Sequence, residues 1–177
     1  MKRYTLMSIL FALTATAIAS LASAHVVIDS PKAETASSFR AVFKVGHGCD
    51  GLPTSSITVV VPSGINRIKP MPKVGWTLST KSEKLAEPFE DHGKKVDVRV
   101  SEITWSGGKL EDAHYDEFIA LLRTPASPGK LYFKVTQLCE DGSKTGRWDW
   151  HDIPGPGKSR RDYKAPAAEL DVVAKPK

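Results

Sequence analysis

The chain has no long apolar run after residue 24. No later stretch approaches the ~20 apolar residues that a transmembrane helix requires, and the C-terminal segment 171–177 is short and charged. We therefore expect the mature protein to be soluble and to have no membrane anchor.

Charge of one sign is not in strong excess either. The chain has 25 Lys and Arg residues against 20 Asp and Glu residues, for a net charge of +5. The excess is dispersed, apart from a basic cluster in residues 158–164, where a Gly- and Pro-rich context is typical of a solvated loop. We therefore expect no nucleic-acid partner.

The one long apolar run lies at the N-terminus and predicts a secretory signal peptide. Lys2 and Arg3 form a basic end, residues 6–21 are apolar, and residues 22–24 supply the small-x-small cleavage pattern. We predict a signal peptide over residues 1–24 and a single domain over residues 25–177, which is long enough for a hydrophobic core. The mature protein should be periplasmic or secreted.

Cleavage after Ala24 would make His25 the first residue of the mature protein. Its α-amine and its imidazole could then close a chelate ring on one metal ion. Two such nitrogens suit Cu(II), which has the highest affinity of the divalent first-row metals for nitrogen ligands. Because both nitrogens must be deprotonated to bind, copper affinity should fall as the pH drops.

Helical periodicity is not evident, and short β-type runs separated by turn residues dominate the chain. Val96, Val98 and Val100, for example, alternate with polar residues. This pattern predicts an all-β fold, an antiparallel β-sandwich. The predicted strands are Val26–Asp29, Ser38–Val45, Ile57–Val61, Trp76–Thr80, Val96–Trp105, Phe118–Arg123, Leu131–Cys139, Arg147–Ile153 and Leu170–Ala174. We expect residues 81–95 to form a charged surface excursion and residues 155–166 to form a loop.

Cysteine is scarce, with Cys49 and Cys139 the only two in the chain. Export to an oxidising compartment favours a disulfide. Cys139 shares a strand face with Leu131, Phe133 and Val135, which points its sulfur inward, where a cross-sheet bridge to Cys49 could form. Such a bridge would stabilise the fold by roughly 4–5 kcal/mol. A pair of thiolate copper ligands is the alternative.

One glutamate and two tryptophans are further candidates. By alternation Glu117 shares a strand face with Ile119 and Leu121, where a carboxylate is unusual without a partner. A strand-end glutamate that pairs with a lysine or caps a turn is the alternative. Trp148 and Trp150 face the same way, either as core residues or with one indole beside a cation.

The other histidines are weaker candidates. His47 precedes Cys49 in a Gly-rich turn, and this context favours a loop histidine hydrogen-bonded near the disulfide over a metal ligand. His92 lies in the charged excursion and is expected to be exposed to solvent.

Several sequence blocks resemble the YcnI-like copper-binding family, whose domain was long described as one of unknown function. They agree in order and spacing over nearly the whole mature chain, and they are His25-Val26, Gly46–Gly51, Pro70–Trp76, His114–Phe118, Gln137–Cys139 and Trp150–Pro154.

The resemblance implies a β-sandwich of immunoglobulin or cupredoxin type with a mononuclear Cu(II) centre called a monohistidine brace. In that centre the mature N-terminal histidine gives its amine and ring nitrogens, a glutamate gives oxygen, and a tryptophan lies close to the ion. His25, Glu117 and Trp150 match these three positions. Trp148 is an extra aromatic residue, which leaves open which indole faces the metal.

The expected function is that of an exported copper chaperone or carrier, which exchanges Cu(II) with other periplasmic or membrane copper-handling proteins and is not an enzyme. One alternative is a histidine-brace copper monooxygenase acting on polysaccharide, with His114 or His151 as a second imidazole. Another is a metal-free interaction domain. A second imidazole on the copper would favour the oxygenase, and a carboxylate would favour the carrier.

Overall fold

The computed structural model describes residues 25–91 and 93–176. The predicted signal peptide and His92 lie outside the described residues. The strands are β1 (Val27–Ile28), β2 (Lys32–Glu34), β3 (Ser38–Val45), β4 (Thr54–Val60), β5 (Ile68–Pro70), β6 (Thr77–Asp91), β7 (Lys94–Leu110), β8 (Asp116–Arg123), β9 (Gly129–Asp141), β10 (Lys144–Trp150) and β11 (Ala168–Val173). A short 3-10 helix, Arg160–Asp162, precedes β11.

The strands form two sheets packed as a sandwich. One sheet has the order β1-β3-β8-β5, and the other has the order β2-β11-β9-β4-β7-β6 with β10 paired to β9. The pairs are antiparallel, apart from the parallel pair of β2 and β11. The predicted all-β antiparallel sandwich is confirmed.

Alternating apolar side chains fill the space between the sheets. Phe43 and Phe118 of the first sheet and Trp105 and Phe133 of the second are fully buried. The Phe43 and Phe133 rings lie 5.4 Å apart, and the Trp105 and Phe118 rings lie 5.6 Å apart. Full burial of each such side chain contributes about 1.5–3 kcal/mol, so these contacts hold the two layers together.

The predicted disulfide is confirmed, and it links a loop to the second sheet. Cys49 follows β3 in a tight turn closed by reciprocal backbone hydrogen bonds with Leu52, both of 3.0 Å. Its partner Cys139 lies on β9, and both cysteines are buried. The bridge therefore fixes the segment that leaves β3, which carries His47.

The predicted surface excursion at residues 81–95 is instead the outer part of a long hairpin. β6 and β7 pair on both sides of residues 85–88, with register shifts after Lys81 and Lys84. Their side chains here are mostly exposed, so the sequence has no inside–outside alternation that would reveal the strands. β2 and β5 also escaped prediction, because a three-residue strand is too short to show a period.

Candidate metal centre

His25 lies two residues before β1, against the indole of Trp150. The two ring centroids are 5.5 Å apart, and the ring planes are nearly perpendicular at 85°. Trp150 is the last residue of β10 and is only 2% exposed, whereas His25 is half-buried. The packing of the two sheets thus brings together two of the three predicted metal-site residues.

A buried glutamine holds the Trp150 indole in place. Trp150 Nε1 donates a hydrogen bond of 3.1 Å to Gln137 Oε1. Gln137 Nε2 donates in turn to the His47 carbonyl and to Thr54 Oγ1, both at 2.7 Å. Gln137 is 1% exposed, so these hydrogen bonds satisfy an amide that has little access to water.

Trp150, and not its neighbour on the strand, is the indole in ring contact with His25. Trp148 stacks on Trp150 with centroids 5.3 Å apart and planes inclined by 19°. Its Nε1 is buried and has no hydrogen-bond partner among the described residues. Trp150 is thus the indole beside His25, and its position next to a metal ion stays a prediction.

His47 approaches the same indole from the loop after β3. Its ring centroid is 6.3 Å from that of Trp150, with the planes at 77°. The His47 Nδ1 atom is hydrogen-bonded to the Gly48 carbonyl. His47 is therefore a loop histidine beside the disulfide, as the sequence favoured, and it also faces the aromatic side chain that His25 contacts.

The surroundings of His25 favour its neutral imidazole. Burial lowers its pKa below the ordinary value of 6.5, and the nearby charges of Arg160 and His47 lower it further, against a hydrogen bond to the Lys164 backbone. Burial also lowers the pKa of Arg160. A neutral imidazole is the form that binds metal. The positive charge of Arg160, however, also repels a bound cation.

Glu117 lies near the beginning of β8, on the outer face of the first sheet. It shares that face with Ile119 and Leu121, as alternation predicted. In the sheet register Lys44 of β3 lies between Glu117 and Val27 of β1. Two strand spacings, about 10 Å, therefore separate the backbone of Glu117 from that of β1.

Two lysines lie near Glu117. The negative charge of Glu117 helps to raise the pKa of Lys44. The backbone carbonyl of Glu117 accepts a hydrogen bond of 3.2 Å from Lys73 Nζ. Lys73 also forms a 2.7 Å ion pair with Asp116. The alternative of a strand-end glutamate that pairs with a lysine or caps a turn therefore stays open beside the predicted role of Glu117 as a ligand.

The two histidines considered for a second imidazole lie elsewhere. His151 Nε2 lies 3.2 Å from Thr136 Oγ1 and 3.8 Å from Asp149 Oδ1, and His114 is exposed in the turn before β8. Within residues 25–91 and 93–176, no three or more His, Cys, Asp or Glu side chains are grouped as a metal site. No helix in this part of the chain is long and apolar enough to cross a bilayer.

Sequence reasoning ranked one residue around His25 low, namely His47. It gave no role in the site to two others, Gln137 and Arg160. The position of Gln137 contained a signal, since it occupies an inward-facing position of a strand whose other inward residues are apolar. Arg160 had no such signal, because its approach to His25 depends on how the loop before β11 folds back.

Fold and site together define an immunoglobulin-like β-sandwich with a histidine–tryptophan cluster at one end. The chain belongs to the family described as a domain of unknown function, DUF1775, whose model matches residues 25–172. A crystal structure of an uncharacterized protein from Nocardia farcinica, with an immunoglobulin-like fold, has a TM-score of 0.62 and 19% sequence identity. The match covers 85% of this chain and 99% of that one. No curated protein matches the chain.

Proposed function

We propose that this protein is an exported copper carrier that binds one Cu(II) ion at the mature N-terminal residue, His25. It would exchange copper with other periplasmic or membrane copper-handling proteins and would carry out no catalysis. The observation that carries the proposal is the packing of the half-buried His25 imidazole against the buried, hydrogen-bonded indole of Trp150.

The backbone at His25 is well placed to present a terminal amine. Val26 is 1% exposed, and Ile28, which is 3% exposed, belongs to β1 and pairs with β3. After cleavage behind Ala24, the amine and the imidazole would therefore be carried by a residue whose chain neighbours are anchored in the core. Such anchoring reduces the entropy lost when both nitrogens close on one ion.

The charges around the site argue for an anionic donor in addition to the two nitrogens. Arg160 beside His25 disfavours a cation, and a carboxylate would offset part of that repulsion. Glu117 is the residue we propose for this role. Its side chain would have to reach across β3, and removal of its charge tests the assignment.

A copper titration of the correctly processed protein tests the proposal. Protein that begins at His25 should bind one equivalent of Cu(II) tightly in calorimetry, and a form with one additional alanine before His25 should not. A His114→Ala variant that also begins at His25 controls for adventitious binding by an exposed imidazole. Equal copper affinity with and without the extra residue would contradict the proposed site.

The nearness of His47 gives one alternative a specific basis. A histidine-brace monooxygenase acting on polysaccharide needs a second imidazole near the N-terminal histidine, and His47 is the residue that could supply it. Copper-loaded protein, incubated with a reductant, oxygen and a polysaccharide, should release no oxidised sugar products if the protein is a carrier. The appearance of such products would favour the enzyme.

A further inference from the structure

We propose that the groove lined by β9 and the loop before β11 binds a small organic anion with two or more carboxylates. The groove is lined by residues of β9, of β11 and of the loop from Pro154 to Arg161. Its volume of about 730 Å³ lies within the range of about 300–1,000 Å³ that is usual for small-molecule sites. This site would be separate from the proposed copper site and does not depend on copper binding.

The charged side chains of the groove are mostly positive. The lining residues include the cations Lys130, Lys158, Arg160 and Arg161 and a single carboxylate, Glu169. Glu169 forms an ion pair with Lys130 and acts on Arg160 only as a more distant charge. Among the described residues, no Asp or Glu lies within ion-pair distance of Lys158, Arg160 or Arg161. A bound anion would supply the missing counter-charge.

Arg160 is the residue of the groove that would gain most from an anion. Its side chain is half-buried, and its Nε atom is enclosed without a hydrogen-bond partner in the part of the chain that the structure describes. Burial lowers the pKa of Arg160, because a guanidinium that loses hydration is stabilised only if it gains hydrogen bonds in return. A carboxylate can accept two parallel hydrogen bonds from a guanidinium, so a carboxylate ligand would offset this loss.

The loop before β11 is ordered by its own hydrogen bonds. The Ser159 N–H and hydroxyl donate to Asp162 Oδ2, at 2.7 Å and 3.1 Å. The Lys158 N–H donates to the Gly155 carbonyl at 3.0 Å, and the Gly155 N–H donates to Tyr163 Oη at 3.2 Å. The Asp162 carboxylate is thus engaged within the loop. The groove is therefore formed before a ligand enters, as is usual for small-molecule sites.

The walls and the size of the groove favour an organic anion over an inorganic one. Tyr132, Pro154 and Pro156 contribute apolar surface to the walls, which packs against carbon atoms better than against a hydrated ion. The volume of about 730 Å³ also far exceeds what a phosphate or sulfate ion fills. Because three cations need a counter-charge, a di- or tricarboxylate is the ligand class that we expect.

Calorimetric titration of the copper-free protein with citrate tests the proposal. The parent chain should bind one citrate, and Arg160→Gln should weaken this binding at least about tenfold, because a hydrogen bond between charged groups is lost. Lys144→Gln is the matched control, since Lys144 is exposed on β10 and lies outside the groove, and it should leave the affinity nearly unchanged. No binding by the parent chain, or equal losses in both variants, would overturn the proposal. With no copper present, neither result bears on the copper site.

The unaltered chain gives two further readouts that do not depend on how a variant folds. Inorganic phosphate and acetate, titrated at the same ionic strength, should both bind more weakly than citrate. Phosphate binding as tight as that of citrate would overturn the assignment to an organic polycarboxylate. In amide NMR spectra, citrate should shift the signals of the loop from Gly155 to Arg161 most, and largest shifts elsewhere would overturn the location.

Discussion

Replacing Gln137 with methionine should destabilise the protein and disturb the candidate site at once. Methionine has nearly the same length and volume, so the main change is the loss of the amide. Trp150 Nε1 and the His47 carbonyl would then lose their partners in a region where Gln137 itself is only 1% exposed. Thr54 Oγ1 can turn toward the Cys139 sulfur, 3.8 Å away.

The magnitude follows from the groups left unpaired. A buried donor or acceptor without a partner costs about 1–3 kcal/mol, so two such groups cost roughly 2–6 kcal/mol. The greater hydrophobicity of methionine offsets part of this, and we expect a net loss of about 2–4 kcal/mol in the free energy of unfolding. With an m-value of about 2 kcal/mol per molar urea, in the middle of the usual range for small proteins, the unfolding midpoint should fall by about 1–2 M.

Urea unfolding followed by tryptophan fluorescence measures this loss. Lys134→Met is the matched control, because Lys134 lies on the same strand and is exposed; its free energy of unfolding should stay within about 0.5 kcal/mol of the parent value. If Gln137→Met unfolded at the same midpoint as this control, the amide network would not be holding Trp150 and the His47 loop. The structural basis of the proposed copper site would then be lost.

Three further outcomes can be measured. Replacing both Cys49 and Cys139 with alanine should lower the free energy of unfolding by roughly 4–5 kcal/mol, because the bridge spans a sequence separation of 90 residues; a change under about 1 kcal/mol in chemical denaturation would refute this. Copper affinity should fall about tenfold per pH unit below the ordinary amine pKa of about 7.7–8.0, as one proton then competes with copper. Because the pKa of His25 is lowered, its ring adds a second competing proton only at more acidic pH, so a slope that already steepens at or above pH 6.5 in calorimetric titrations would contradict that shift. Cu(II) should quench tryptophan emission, and Trp150→Phe should remove more of the quenching than Trp148→Phe; the reverse order would place the copper nearer Trp148.

Local patterns were enough to predict the core strands. Ser38–Val45 was predicted with the observed bounds, and the strands at Leu131–Cys139 and Phe118–Arg123 differ from β9 and β8 by a few terminal residues. These segments have one buried and one exposed face, which makes alternation visible. The outer part of the β6–β7 hairpin has few buried side chains, so residues 81–95 were predicted only as a charged surface excursion and not as strands.

The candidate site was only partly within reach of the sequence. His25 stood out from its position after the cleavage pattern, and the inward parity of Cys139 agreed with a bridge to Cys49. Glu117 was placed on the correct strand face, but its distance from β1 depends on β3 lying between them. Strand order is a non-local property, and alternation along a single strand contains no information about it.

The sequence by itself determined the features that short-range chemistry encodes. These are the two-residue period of the strands and the glycine-flanked His47 beside Cys49. The tertiary structure decided that His25, His47 and Trp150 meet, and that Trp150 rather than Trp148 is the indole that His25 contacts. The physical reason is that β1 and β10 belong to different sheets. Only the packing of those sheets, fixed by the buried core and the Gln137 hydrogen bonds, brings their ends together.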